Sequence, residues 1–253
     1  MWIAFYFNPL KINIMITVFK ELQTPKKLLS EGMTNAKTAK NDLKTYILYL
    51  SPASQNSAKR NLCGHSTPGC RLACLFSAGR GKFSNVQQAR INRTEYFLRD
   101  RLAFLSQLAD EVTKAANKEF KKTGEKIAIR LNGTSDIKLV EMLTARHQLP
   151  ENIVFYDYTK IPQKAGDRVT EQGHRYCVTY SRAEDNENKA VEVLKAGGNV
   201  AAVFAGALPR TWKGFKVVDG DKSDIEMLNV FGSVLGLRAK GEAKKDTTGF
   251  VIA

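Results

Sequence analysis

Short apolar runs separated by polar, turn-forming segments recur through the second half of the chain. They are Ile127–Leu131, Ile153–Tyr156, Tyr176–Tyr180, Val200–Phe204, Phe215–Val218 and Val234–Leu237. Runs this uniformly apolar suit strands covered on both faces, the habit of parallel sheets in α/β proteins. An earlier run, Tyr46–Leu50, is closed by Ser51 and Pro52 and brings the count of predicted strands to seven. Between the first run and the rest the period changes. From Ser84 to Lys118, Val86, Ala89, Ile91, Phe97, Leu98, Phe104, Leu105, Leu108 and Val112 recur at helical spacing, predicting one long helix or two in succession. The expected fold is α/β: a single domain over 46–253 on a mostly parallel, barrel-like sheet, at its fullest an incomplete TIM-type barrel, with an open doubly wound sheet as the alternative. An N-terminal extension, 1–45, precedes it. Within that extension, 20–45 reads as an irregular basic arm, and a cysteine-containing loop is expected at 61–81.

A chain of 253 residues with 43% apolar content can bury a full core, and no stretch approaches the roughly 20 apolar residues of a membrane span. The first ten residues are apolar but lack a basic leading segment and a small-residue cleavage site, so they do not read as an export signal; Met15 and Met33 are alternative starts. The expectation is a cytoplasmic protein with reduced thiols and no membrane partner. The formal net charge is +14. A charge of that size favours contact with nucleic acid, a nucleotide or an acidic host protein.

In a parallel sheet the loops at the carboxyl ends of the strands open to one side and carry the chemistry. Here those ends hold Arg130 and Asn132-Gly-Thr-Ser-Asp136, then Asp157 and Lys160, then Arg182, then Asp221, and finally Arg238 and Lys240. Thr134, Ser135 and Ser223 read as helix caps. The charged residues exceed what capping needs. Asn132, Asp136, Asp157, Lys160 and Arg182 are the candidates for catalysis. Arg130, Asp221, Arg238 and Lys240 are the candidates for holding a cofactor, because paired cations suit phosphate or carboxylate.

Three of the four cysteines, Cys63, Cys70 and Cys74, fall in one segment with spacing C-x6-C-x3-C, around His65 and a Pro-Gly turn. Such crowding points to one site. Three thiolates can hold three irons of a [4Fe-4S] cube and leave the fourth open; with His65 or Cys177 they make a zinc set; or they are buried and hold no metal. Cys177 sits mid-strand and reads as core, while His147 and His174 lie in polar linkers and read as exposed. No nucleophile elbow, P-loop, HExxH or dinucleotide fingerprint occurs.

Several segments, in order, resemble one family. They are Ser51-Pro-Ala53, the cysteine segment through Leu-Phe-Ser-Ala-Gly-Arg-Gly81, Asn85-Val-Gln-Gln-Ala-Arg-Ile-Asn-Arg-Thr94, Ile129-Arg-Leu-Asn-Gly-Thr-Ser-Asp136, Phe155-Tyr-Asp-Tyr-Thr-Lys160, Thr179-Tyr-Ser-Arg-Ala-Glu184, Val217-Val-Asp-Gly-Asp221, Gly236-Leu-Arg-Ala-Lys-Gly241 and Gly249-Phe-Val251. Over roughly residues 30 to 253 the chain resembles the bacteriophage gene product 88 family. That resemblance implies a phage origin and residence in the host cytoplasm. A more distant similarity is to phage proteins with a cysteine element ahead of a barrel-like domain, similar in turn to radical S-adenosylmethionine enzymes. It implies Cys63, Cys70 and Cys74 as cluster ligands, with Asn132, Asp136, Asp157 and Arg182 facing cofactor and substrate. The leading expectation is thus an iron-sulfur enzyme using S-adenosylmethionine on a nucleotide or nucleic-acid component. The alternative is a non-enzymatic module that binds nucleic acid or a host protein, with a structural metal or none.

Overall fold

The computed structural model describes residues 24–32, 42–74, 76 and 79–253. Met15, Met33 and residues 20–23 and 33–41 of the expected basic arm lie outside the described residues. Within 24–32 the arm is not irregular, because Leu29–Glu31 forms a strand, β1, antiparallel to β2 (Lys44–Leu48). Leu28 and Leu29 are buried beneath it, which supplies the apolar contact that a polar composition concealed.

Each of the seven apolar runs forms a strand. After β2 come β3 (Ile127–Arg130), β4 (Ile153–Thr159), β5 (Gly166–Val169), β6 (Arg175–Ser181), β7 (Val200–Phe204), β8 (Thr211–Trp212), β9 (Phe215–Asp219), β10 (Val234–Arg238) and β11 (Val251–Ile252). They make one sheet in the order β1-β2-β3-β4-β6-β7-β10-β9-β8. From β2 to β9 every neighbouring pair along that path is parallel. The expected barrel is not formed among the described residues: the ladder runs from β1 to β8 without closing. Its end pairs, β1 with β2 and β8 with β9, are antiparallel, so the sheet changes direction at both ends where a closed parallel barrel would continue.

Strand alternation sends side chains to two faces. Ile127, Ile129, Leu131 and Phe155 join Phe104, Leu105, Leu108 and Val112 in one core, while Ala128, Val154, Tyr156 and Cys177 pack on Ile225, Met227 and Leu228 in another. The helical pattern resolves into two helices. Short α1 (Pro68–Leu72) lies in the cysteine loop; α2 (Ser84–Arg99) and α3 (Arg101–Thr123) follow. The break falls at Asp100, whose extended backbone leaves the helix and whose carboxylate accepts the Ala103 N–H as the cap of α3. Gly124 ends α3 in the left-handed conformation that its lack of a Cβ permits. Helices α4 (Leu139–Thr144) and α5 (Glu187–Lys195) connect later strands.

One departure from a regular sheet positions the site. β6 pairs with β7 only through Tyr180–Val200 and Ser181–Ala201, so the end of one strand meets the start of the next. The carboxyl half of β7, Val203 and Phe204, pairs with β11 instead. The last strand of the chain therefore fills the gap where β6 and β7 part.

Candidate functional site

The loop after β2 is fixed from several sides. Asn56 bridges its own turn, its amide donating to Pro52 O and Arg60 O. Ser57 Oγ donates to buried Glu95 of α2, and the Ser51 N–H donates to Thr94 Oγ1. The chain is thereby turned back over the carboxyl ends of the strands. There the Asp136 N–H donates to Leu62 O at 2.8 Å and Cys63 Sγ donates to Thr134 O at 3.5 Å, both on the loop after β3.

Helix α1 carries Cys70 and is capped by Thr67, whose Oγ1 accepts the Cys70 N–H. Glu184, just past β6, takes the Thr67 hydroxyl at 2.7 Å and the Gly69 N–H at 2.8 Å. Burial opposes ionisation of Glu184, but bonds from its own backbone, Thr67 and Gly69, together with the charge of Lys160, hold its carboxyl below the usual range. Just past β4, Lys160 Nζ donates to Ser181 O and Oγ at 3.3 and 3.1 Å, acts on Cys70 through its charge, and stands 5.5 Å from the Phe250 ring centre.

The three thiols are half-buried and form no disulfide. Burial pushes Cys63 up to about 12, with the charges of Cys74, Cys70 and Asp136 adding to it and Lys160 opposing it. Burial likewise raises Cys70, against Lys160. Each of these sulfurs therefore lies within electrostatic reach of the other two.

The sequence candidates divide. Asp136 and Lys160 stand at the cysteine loop. Asp136 accepts the Thr159 hydroxyl and the Lys160 N–H, and pairs with Lys164 at 3.5 Å. Asn132 and Asp157 lie just below, 4% and 1% exposed and bonded to each other, with the Tyr176 hydroxyl donating to Asp157. Arg130 belongs to that buried layer too: it pairs with Asp224 at 3.5 Å and Asp157 at 3.9 Å and stacks on Tyr158. Arg182 is buried and donates to the carbonyls of Gly249 and Phe250, clamping the chain that leads into β11. Asp221, Arg238 and Lys240 are brought together elsewhere, three strands along from β4, in an exposed ion-pair cluster with Asp219. Thr134, Ser135 and Ser223 cap no helix: Thr134 bonds Leu50 O, Ser135 bonds Asn132 and Ser223 accepts the Ile225 N–H.

Two histidine expectations separate as well. His174 is buried, not exposed, bonded to Thr170 and Pro150 O under the Phe155 ring. His65 is exposed, and Cys177 is in the core with its thiol on Met227 O, away from the loop. Neither supplies the fourth ligand that a zinc set would need. Among the described residues no group of three His, Cys, Asp or Glu side chains could hold a metal ion as they stand. The three thiols of the loop are soft donors and stand within electrostatic reach of the Lys160 ammonium.

Glu184 and Thr67 are the participants that spacing did not reveal. Glu184 sat in a strand-end segment with no partner in view. No helix among the described residues is long and apolar enough to cross a membrane. A family model described as gene product 88 matches residues 26–253. No curated protein and no solved structure matches the chain.

Proposed function

The chain belongs to the gene product 88 family, and we propose that it is an iron-sulfur enzyme of the radical S-adenosylmethionine kind, acting on a nucleotide or nucleic-acid component in the host cytoplasm. One observation carries this reading: Cys63, Cys70 and Cys74 share one loop over the carboxyl ends of parallel strands, beside Lys160 and Asp136. Cys63, Cys70 and Cys74 are the residues that would hold the cluster, which would supply one iron open to an outside ligand. The chain's own residues do the rest. Lys160 and Lys164 bind anionic groups of a substrate, Asp136 pairs with the Lys164 ammonium and anchors the Lys160 backbone, Ser181 holds the Lys160 ammonium, and Glu184 holds the loop in register. Asn132, Asp157 and Arg130 keep the floor of the site rigid, and Arg182 closes its wall through the segment leading into β11. The net charge of +14 draws a polyanionic substrate toward it.

The test is the iron and sulfide content of anaerobically purified protein and its absorbance at about 400 nm, where iron-sulfur clusters absorb. A brown protein that loses its iron in the Cys63→Ser, Cys70→Ser and Cys74→Ser variants is the expected result. Colourless protein that stays iron-free after anaerobic reconstitution overturns the reading, and a single tightly held zinc moves the loop to a structural role.

A second reading, a non-enzymatic module for nucleic acid or a host protein, draws on the exposed Arg99, Arg101, Lys121 and Lys122 at the ends of α2 and α3.

A further inference from the structure

The crossover from β7 to β9 carries no helix. It runs as a loop from Ala205 to Arg210, passes β10, and returns through the short hairpin of β8 and β9. Leu208 presses on β10 there, since a Cβ on Gly236 would lie 2.9 Å from its Cδ2. On the same face α5 packs Ala190, Val193 and Leu194 against Val200, Ala202, Phe204 and Trp212. Between the crossover, the hairpin and β11 a hollow of about 310 Å³ is left, lined by Phe204, Trp212, Ile252, Pro209, Ala207 and Lys213 among others. It opens at the carboxyl end of β7, where the strand order reverses: β10, the next strand along the sheet, comes after β9 in the chain. Open α/β sheets hold ligands at such reversals, and the hollow has the volume of a small ligand site.

Its rim is built at a cost. Lys213 and Gly214 are the two-residue turn of the β8–β9 hairpin, with φ of +52° and +85°. Such turns favour Asn-Gly, and a lysine in the left-handed region is strained. Among the described residues only Lys59 shares that conformation without being glycine. Strain of this kind persists where a side chain must be placed. Here the turn sets Lys213 Nζ 2.6 Å from Glu187 Oε1, while Glu187 Oε2 takes Arg182 Nη2 at 3.3 Å. Two cations to one carboxylate leave the rim positive, and the half-exposed ammonium has donors to spare.

We propose that this hollow is a second binding site, for a small aromatic anion whose ring lies against Phe204 and Trp212 and whose charged group is held by Lys213. It needs nothing of the iron-sulfur reading.

In a Trp2→Phe background Trp212 is the sole tryptophan, and its emission reports the hollow. Benzoate and uridine 5′-monophosphate, an aromatic acid and a nucleotide of one ring each, are titrated to millimolar concentration beside benzylammonium. A saturable change in emission with at least one anion and none with benzylammonium is expected, the tighter anion naming the source of the ring. Lys213→Asn gives the turn its favoured pair, so its urea midpoint should not fall, while the anion should bind about tenfold or more weakly, the scale of one charge-assisted hydrogen bond. Ala207→Phe fills the hollow from its lip and should abolish binding. No response to either anion overturns the proposal, as does benzylammonium bound as well as benzoate. Anion binding unchanged in Lys213→Asn or in Ala207→Phe overturns it too, and where one variant fails to fold the other decides.

Discussion

Asn132 and Asp157 close on each other through two hydrogen bonds, from the Asn132 N–H at 2.9 Å and from its Nδ2 at 3.1 Å, in a layer almost sealed from water. Tyr176 donates to the same carboxylate at 3.2 Å, and Arg130 Nε stands 3.9 Å away. The pair holds the turn after β3 in place, since the other end of Asn132 accepts from Ser135 and from the Ile137 N–H. Asp136, which reaches the cysteine loop, is carried on that turn.

Burial pushes the Asp157 carboxyl up to about 7, with Arg130 and the Asn132 donors working against it. A carboxyl whose pKa is higher folded than unfolded binds more protons in the folded state between the two values. Its contribution to stability is therefore full below about pH 4 and falls as pH rises to about 7. Each tenfold change in proton affinity is worth about 1.4 kcal/mol, which puts the loss on the order of a few kcal/mol. Urea unfolding of wild type and Asp157→Asn across that range should show wild type losing stability relative to the variant as pH rises. A pH-independent difference would show that folding leaves the proton affinity of Asp157 unchanged.

Glu184→Gln keeps the shape but replaces one acceptor oxygen by a donor facing Thr67 and Gly69. Losing one charge-assisted bond costs about 1.5–3 kcal/mol, and the effect should be local. Hydrogen exchange is expected to quicken in residues 63–74 with little change in β3 or β4. Uniform acceleration across the sheet would mean that Glu184 supports the whole fold instead.

Gly69 is hemmed in: a Cβ there would press on Thr248 Oγ1, lie 2.8 Å from Phe250 Cβ and 2.9 Å from Glu184 Oε2. Gly69→Ala should cost about 1–3 kcal/mol, in the range for overpacking, and part the cysteine loop from the 248–250 segment. The shift in the urea midpoint measures it, and Thr248→Ala should recover some of the loss. An unchanged midpoint would mean that the two segments separate freely.

If the basic ends of α2 and α3 bind nucleic acid, binding must be dominated by phosphate contacts and weaken steeply with salt. Titration of single- and double-stranded nucleic acid at two salt concentrations reads the slope. Arg99→Gln with Arg101→Gln should lower it by about 2 in the logarithmic plot, near one for each phosphate that is no longer neutralised. No binding at low salt removes that reading.

The strands were legible because uniform apolar runs such as Ile127–Leu131 and Val200–Phe204 are buried on both faces, and burial is what hydropathy reports. β1, β5, β8 and β11 were not. Gly166–Val169 alternates exposed and half-buried positions, and Thr211–Trp212 and Val251–Ile252 are two residues each, too short for any period to register. Closure failed as an expectation for a related reason: whether the last strand meets the first depends on the edges, which are these short pieces. In the site, the crowding of Cys63, Cys70 and Cys74 was visible as spacing. Which strand-end residues lie beside them was not, because Asn132 and Asp157 carry the same polar signature as Asp136 and differ only in depth. The caps expected at Thr134 and Ser135 went astray because no helix starts there; the side chains serve Leu50 and Asn132 instead.

The wedge made by β11 makes one wall of the site depend on contacts far apart in sequence. Arg182 reaches the carbonyls of Gly249 and Phe250, and the Phe250 ring lies beside Lys160, whose ammonium is already served by Ser181. Closing so long a loop costs entropy before any contact rewards it, so contacts of this kind form late in folding. The wall beside the cysteine loop is therefore expected to set after the shorter-range pairing of β3 with β4.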